Sequence, residues 1–335
     1  MEFAADRNLI TGPNAAGKTS ILEAIFLLGS GRSFRSSSLD LLVQDSAREL
    51  VVVGRFVGSQ HLVRTIGIGC KGTQKEIRVD GQRSNSAAEL AKCFPVQVID
   101  PEVHLLLDDG PRRRRTFIDW GVFHVEPSFH ECWRRFNRAL KQRNAALKSR
   151  LSVAVWDEEL AACGTAVHDH RWRYVQALAP FVRDTGQRLL QEDVSIEYIQ
   201  GWKRTATLPD ALKESRARDQ QFGSTTVGPH RADLRLLVGG HVAKDRISRG
   251  QQKMLACVLL LAQQLHRASL SSHAACLLLD DPAAELDVDN LGKLLELIDE
   301  LPVQLIATGL TSSSLSLFRN AKKFHVEHGL VKAVA

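Results

Sequence analysis

Apolar residues recur along this chain in two periods, and the points where one gives way to the other mark its elements. The short run "NLIT" meets the glycine-containing "GPNAAGKTS" and then the helical-period stretch "ILEAIFLLG", which predicts strand, loop and helix. From Leu50 to Val79 the period shortens to two in "LVVVGRFVG", "HLVRTIGIG" and "KEIRVDG". With Asp80-Gly81 as a turn signal, these runs predict a small antiparallel sheet. "FPVQVIDPE" adds a buried strand ending in a polar loop. Between Glu126 and about Glu192 the pattern is mostly helical, with breaks expected near Ser152 and at Pro180. "ADLRLLVGG" reads as strand and turn, followed by a helix opening at "SRGQQKMLACVLLLAQQ", Ser248 to Gln264. "ACLLLDDP" and "VQLIATGL" read as buried, parallel-type strands, because an unbroken apolar run needs cover on both faces.

Composition narrows the class without naming a function. Of the 335 residues 44% are hydrophobic and 24% charged, as in an ordinary globular protein. No apolar stretch reaches the roughly 18–20 uncharged residues of a membrane span. No basic segment followed by an apolar run opens the chain, so no secretory leader is visible. Cys70, Cys93, Cys132, Cys163, Cys257 and Cys276 are scattered, with no Cys-x-x-Cys pair. That argues against a disulfide framework and a zinc site, and fits a reducing, cytoplasmic setting. A net charge of +6 suits a polyanionic partner without specifying one.

The candidate chemistry begins with "GPNAAGKTS", which fits G-x-x-x-x-G-K-[ST] between a strand and a helix. Gly12, Pro13, Asn14, Ala15, Ala16, Gly17, Lys18, Thr19 and Ser20 are therefore expected to bind ATP. The glycines let backbone N–H groups wrap phosphates at a helix N-terminus. Lys18 reaches the β- and γ-phosphates, and the Thr19 hydroxyl is offered to Mg²⁺. "CLLLDDPAAELD" places Asp280 and Asp281 at the carboxyl end of a buried strand. Asp280 is expected to hold Mg²⁺ with Thr19, and Asp281 to stand as general base or water-orienting carboxylate. Glu285 and Asp287 fit either a site or a plain helix cap. The phosphate loop and the acidic strand flank a helical stretch, and neither half completes an ATPase alone. The economical reading is one split ATPase domain, with parts at 1–120 and 223–335 and a helical insertion at 121–222.

Ser248, Gly250 and Gln251 open their helix as a plain N-cap would. The order of motifs, however, is similar to that of ABC-type ATPases. That resemblance implies that these three residues complete the nucleotide site of a second copy. The stretches "GPNAAGKTSILEAIFLLGSGRSFR", "PRRRRTFIDWGVFH", "LKQRNAALK", "TVGPHRADLRL", "SRGQQKMLACVLLLAQ" and "LLLDDPAAELD" make the resemblance closer. Over nearly its whole length the chain resembles the RecF family of bacterial recombinational-repair ATPases, relatives of the SMC proteins. The resemblance implies an α/β fold, an ABC-type ATPase head with a helical lobe II insertion in place of a long coiled coil. It further implies ATP-dependent homodimerisation on gapped or single-strand/double-strand junction DNA, weak DNA-dependent ATP hydrolysis, and cooperation with RecR and RecO in loading RecA, with no membrane partner. The chain departs from the RecF pattern at its start and from the wider ABC-type pattern at two further places. Family members begin with an "L-x-x-F-R-N" strand for which the eleven residues before Gly12 leave no room, so a bare sheet edge is expected. Gln97, Asp100 and Glu102 stand in place of a transporter-type glutamine loop. Thr308 stands where many ABC ATPases carry a switch histidine, and slow hydrolysis is the expectation. Arg32, Phe34 and Arg35 remain as nucleotide- or DNA-proximal candidates.

Turned at about 100° per residue, a helix over Phe129–Arg150 gathers Phe129, Trp133, Phe136, Leu140 and Leu147 on one side. Arg134, Arg138, Lys141 and Lys148 form a stripe on the other. The stripe fits contact with DNA phosphates and fits a solvated face equally. The run Arg112–Arg115 is similarly double: Arg112 and Arg113 are DNA candidates, or the run pairs with acids. His230 precedes a strand with no nucleophile near it in sequence, so a structural role is expected. Two other functions compete: a nucleotide-binding subunit of an ABC transporter, and an ATPase-defective, truncated interaction protein.

Overall fold

A computed structural model describes residues 1–36, 38–44, 47–57, 62–72, 74–84, 86–271, 275–309, 318 and 320–334. The chain divides into two compact units, 1–103 with 271–335, and 104–270. In chain order the first unit opens with β1 (Arg7–Thr11), α1 (Lys18–Ser30), β2 (Leu50–Val57), β3 (Val63–Lys71), β4 (Gln74–Val79), β5 (Gln82–Ser84), α2 (Ala87–Cys93) and β6 (Val96–Ile99). The second unit holds α3 (Leu105–Asp108), α4 (Gly110–Val125), α5 (Phe129–Lys148), α6 (Ala154–Leu190), β7 (Val194–Ile199), α7 (Leu208–Phe222), β8 (Asp233–Val238), β9 (His241–Val242) and α8 (Arg249–Leu270). The chain then returns to the first unit with β10 (Ala275–Leu279), α9 (Pro282–Glu285), α10 (Val288–Asp299), β11 (Val303–Gly309), β12 (Lys322–Glu327) and β13 (Leu330–Val334).

The main sheet of the first unit runs β13-β12-β1-β11-β10-β6, parallel except for the β13 edge. Its strands are the unbroken apolar runs of the sequence: all five residues of β10 are buried, as are Leu9 and Ile10 of β1. β1 lies between β11 and β12, so the bare edge expected from the sequence does not fall beside it. In the antiparallel sheet β2-β3-β4-β5, Val51, Val53 and Val57 of the terminal strand β2 are exposed. The Asp80-Gly81 turn of this sheet takes φ 50° and 80°, the left-handed pair that a tight hairpin needs.

In the second unit the helical stretch differs from its sequence pattern at Pro180. α6 runs unbroken through that proline for 37 residues. A helix-interior proline costs about 3 kcal/mol, yet Leu178 and Val182 on either side of it are fully buried. Packing of α6 against α5 and α8 outweighs the local penalty. β7 was not anticipated; its own signal is the period-two "VSIEYI", which pairs with β8. The boundaries also fall elsewhere than at 120 and 222, because α4 and α8 both close on α6. At that junction Gly121 of α4 leaves no room for a Cβ beside Tyr174 of α6 and Gln263 of α8. The Gln263 amide donates to Phe117 O (2.9 Å) and to the Tyr174 hydroxyl (3.0 Å).

Arg143 of α5 is fully buried. Its Nε donates to Asp157 (2.7 Å) and its Nη1 to Asp219 (2.7 Å) and Thr225 (2.9 Å), tying α5, α6 and α7 together. Arg143→Met leaves Asp219 buried without its cation and is expected to destabilise the protein by about 3–5 kcal/mol. Urea denaturation followed by circular dichroism measures this, and an unchanged midpoint would show that the pair is not holding the three helices.

Candidate functional site: a phosphate loop and an acidic strand end

β1 ends at Thr11, whose hydroxyl donates to Phe324 O of β12 (3.1 Å), and the chain then turns sharply. Gly12 has φ 152°, and any side chain there would collide with the Val326 carbonyl of β12. Ala15 holds a left-handed φ of 60° and Gly17 one of 106°, so the loop curls back before α1 starts at Lys18. Left-handed geometry is strained for alanine, and such strain clusters at ligand sites. Lys18 Nζ arches over the loop and donates to Gly12 O (2.8 Å) and Pro13 O (2.9 Å). Ile21 is the first α1 residue whose N–H reaches a backbone acceptor behind it, Gly17 O at 3.2 Å. The amides of Lys18, Thr19 and Ser20 therefore project from the helix end, where its dipole favours an anion. A loop curled at Gly12, Ala15 and Gly17 before the open amides of Lys18, Thr19 and Ser20 has the shape that suits a phosphate group.

The buried strand β10 delivers Asp280 and Asp281 to the same place. Thr19 Oγ1 donates to Asp280 Oδ1 (3.0 Å), and Thr308 Oγ1 at the end of β11 donates to the same oxygen (2.8 Å). The Asp281 N–H donates to Thr308 Oγ1 (2.8 Å), and Asp281 sits in the left-handed region at φ 46°. A threonine hydroxyl beside a carboxylate is a suitable donor set for Mg²⁺, a hard cation that prefers oxygen and keeps several waters. Burial pushes the Asp281 carboxyl above the usual aspartate range. The Lys18 ammonium opposes that rise, and the Asp280 and Glu285 carboxylates add to it. Lys18, Thr19, Asp280 and Asp281, expected to act together, are thus assembled. The part played by Thr308 was not legible: its hydroxyl is the only signal, and its partners lie far away in sequence.

Other candidates resolve differently. Asp287 accepts the Asn290 N–H (2.8 Å) and caps α10. Phe34 packs edge-on to Phe26 of α1 at 5.4 Å, and Arg35 lies 3.9 Å from the buried Glu23. His230 is half-buried with Nε2 3.0 Å from Thr225 O, and desolvation pushes its pKa down to about 4, so it is a neutral structural side chain.

In the second unit Ser248 and Gln251 form a reciprocal cap on α8. The Ser248 N–H donates to Gln251 Oε1 (2.9 Å), and the Gln251 N–H donates to Ser248 Oγ (3.3 Å). Ser248, Gly250 and Gln251 are all exposed. Among the described residues a Cβ on Gly250 would meet nothing closer than Ser248 Oγ at 4.0 Å. On α5, Phe129, Phe136 and Leu147 are buried, while Arg134, Arg138, Lys141 and Lys148 are exposed. None of these four has a carboxylate within ion-pair distance among the described residues. The run Arg112–Arg115 splits. Arg114 forks onto Asp233 (2.7 and 3.0 Å) and Arg115 donates to Ala232 O (2.8 Å), while Arg112 and Arg113 face outward, the latter paired with Asp109 at 2.7 Å.

Among the described residues no helix is long and apolar enough to cross a membrane. The RecF/RecN/SMC N terminal domain family matches residues 1–332. The DNA replication and repair protein RecF of Vibrio parahaemolyticus is 38% identical over 340 residues, covering 99% of this chain and 95% of that protein. A solved structure of the recombination mediator protein RecF–ATP in the RecFOR pathway superposes with a TM-score of 0.88 at 27% identity, over 100% of this chain and 93% of that one. The Smc head bound to the C-winged helix domain of ScpA gives a TM-score of 0.60 at 16% identity, over 100% of this chain and 91% of that one, a likeness of fold alone. The strand–loop–helix, the acidic strand end beside it and these matches lead to one assignment: the chain belongs to the RecF/RecN/SMC N terminal domain family.

Proposed function

We propose that this chain is an ATP-gated DNA-binding protein of replication and recombinational repair, which dimerises around ATP on gapped or junction DNA and resets by slow hydrolysis. The observation that carries the reading is the convergence of Thr19 and Asp280, 3.0 Å apart, beside a loop whose amides and lysine face the same place. Phosphate oxygens would draw Lys18 from the Gly12 and Pro13 carbonyls, and the first-turn amides of α1 would hold them. Thr19 and Asp280 would hold Mg²⁺, whose charge offsets that developing on the β- and γ-phosphate oxygens. Asp281 would orient water and accept its proton. With threonine rather than histidine at position 308, no imidazole is offered at that point, which fits slow turnover.

Ser248, Gly250 and Gln251 would meet the nucleotide held by a second copy. Gly250 lies in the capped first turn of α8 with open space around it, so no described residue crowds the position. That openness leaves room for an external phosphate to approach the backbone. The outward cations Arg134, Arg138, Lys141 and Lys148, with Arg112 and Arg113, would bind the DNA backbone. RecR, and through it RecO and RecA, are the proposed protein partners, in keeping with relatives named for the RecFOR pathway. Family membership speaks against the transporter-subunit alternative.

Three outcomes are expected. In sedimentation velocity with Mg²⁺ and a slowly hydrolysed ATP analogue, the wild type becomes a dimer and Ser248→Arg stays monomeric, while losing about 1 kcal/mol of stability with its cap. A wild type that remains monomeric at saturating nucleotide sinks the dimer. Replacing Arg134, Arg138, Lys141 and Lys148 together by alanine should weaken DNA binding and flatten the slope of log K against log [salt] by roughly 3–4. An unchanged slope would make this stripe a solvated face. For pH, Asp281 acts when ionised, so hydrolysis should fall as pH drops through its raised pKa, with a midpoint above the usual value of about 3.9. Asp281→Asn should be slow at every pH; a variant that keeps the wild-type profile assigns that limb to another group.

A further inference from the structure

The geometry points to Thr308 as a positioning residue that aims both strand-end carboxylates through one hydroxyl. The assignment rests on the nucleotide reading of the site and adds a part to it. A hydroxyl has one proton to give and lone pairs to accept with. Thr308 gives its proton to Asp280 Oδ1 (2.8 Å) and accepts the Asp281 N–H (2.8 Å). It is buried to 1% exposure, so water does not compete for either bond.

Each bond has a distinct consequence. A carboxylate oxygen has two lone-pair directions, and Asp280 Oδ1 already receives Thr19 and Thr308. Oδ2 is left without a hydrogen bond among the described residues, and it is the oxygen available to a cation or its water. Thr19 can offer a lone pair to a metal while its proton stays on Oδ1. The Thr308 bond fixes the carboxylate's rotation. The second bond helps hold the Asp281 backbone at φ 46°, in the left-handed region that aspartate visits less readily than glycine. Loss of that acceptor would leave the Asp281 backbone, and with it the direction of its carboxylate, less firmly fixed. Register makes the arrangement specific. Ala307 pairs with Leu279, so the next residue on β11 stands beside the first residue after β10.

The test compares Thr308→Val, which keeps shape and β-branching but removes the hydroxyl, with Thr308→Ser, which restores it. Two quantities are read: the Mg²⁺ concentration giving half-maximal thermal stabilisation by ATP, and kcat with KM for ATP. For Thr308→Val the Mg²⁺ midpoint should rise and kcat fall by about tenfold each, the scale of one lost hydrogen bond to a charged group. KM should change less than about twofold, and Thr308→Ser should stay within about twofold of wild type throughout. If Thr308→Val does not fold, Thr308→Ala against Thr308→Ser decides the same question. A folded hydroxyl-free variant with wild-type midpoint and kcat overturns the role of Thr308 alone. A wild type that Mg²⁺-ATP does not stabilise overturns the nucleotide reading, and this assignment with it.

Discussion

Two threonine hydroxyls on one oxygen of Asp280 hold the first unit's site together. Thr19 comes from the first turn of α1, Asp280 from the end of β10, and Thr308 from the end of β11. The bonds form only if three buried parallel strands keep their register, with Ile10 opposite Thr308 and Leu279 opposite Ala307. A slip by one residue would turn Thr308 to the other face of the sheet and bury its hydroxyl among aliphatic side chains. The apolar runs that fix the register therefore also fix the chemistry. Leu9, Ile10, Leu277, Leu278, Leu279 and Ile306 are the side chains that pin it.

Glycine marks where backbone comes close to something, and here the close approaches are of two kinds. Gly12 faces the β12 backbone, and Gly121 faces Tyr174 and Gln263, so each is dictated by a neighbour in the same chain. Gly250 has no such neighbour among the described residues. It lies at the exposed end of α8, in a turn already capped by Ser248 and Gln251. The cap explains the serine and the glutamine but not the glycine.

Whatever depends on local chemistry was legible in the sequence. The phosphate loop, the acidic strand end, the Asp80-Gly81 hairpin and the two faces of α5 each announce themselves within a few residues. What depends on burial was not. Pro180 looked like a break because its penalty is local, whereas the packing that overrides it comes from α5 and α8. Arg143 stands in a polar run and gives no sign of being the buried centre of three helices. Arg112–Arg115 read as one basic run, yet Arg114 and Arg115 turn inward onto Asp233 and Ala232 while Arg112 and Arg113 face out. Thr308 was noticed only as a missing histidine, since its role rests on a strand pairing that no local pattern encodes.

The account stands or falls on whether the Thr19–Asp280 cluster and the loop beside it bind nucleotide. Isothermal titration of ATP into the full chain, with and without Mg²⁺, tests this directly when run beside Lys18→Ala. The account predicts saturable binding by the wild type, tighter with Mg²⁺, and little or none in the variant. Absence of saturable heat in the wild type, or equal binding by Lys18→Ala, would contradict it.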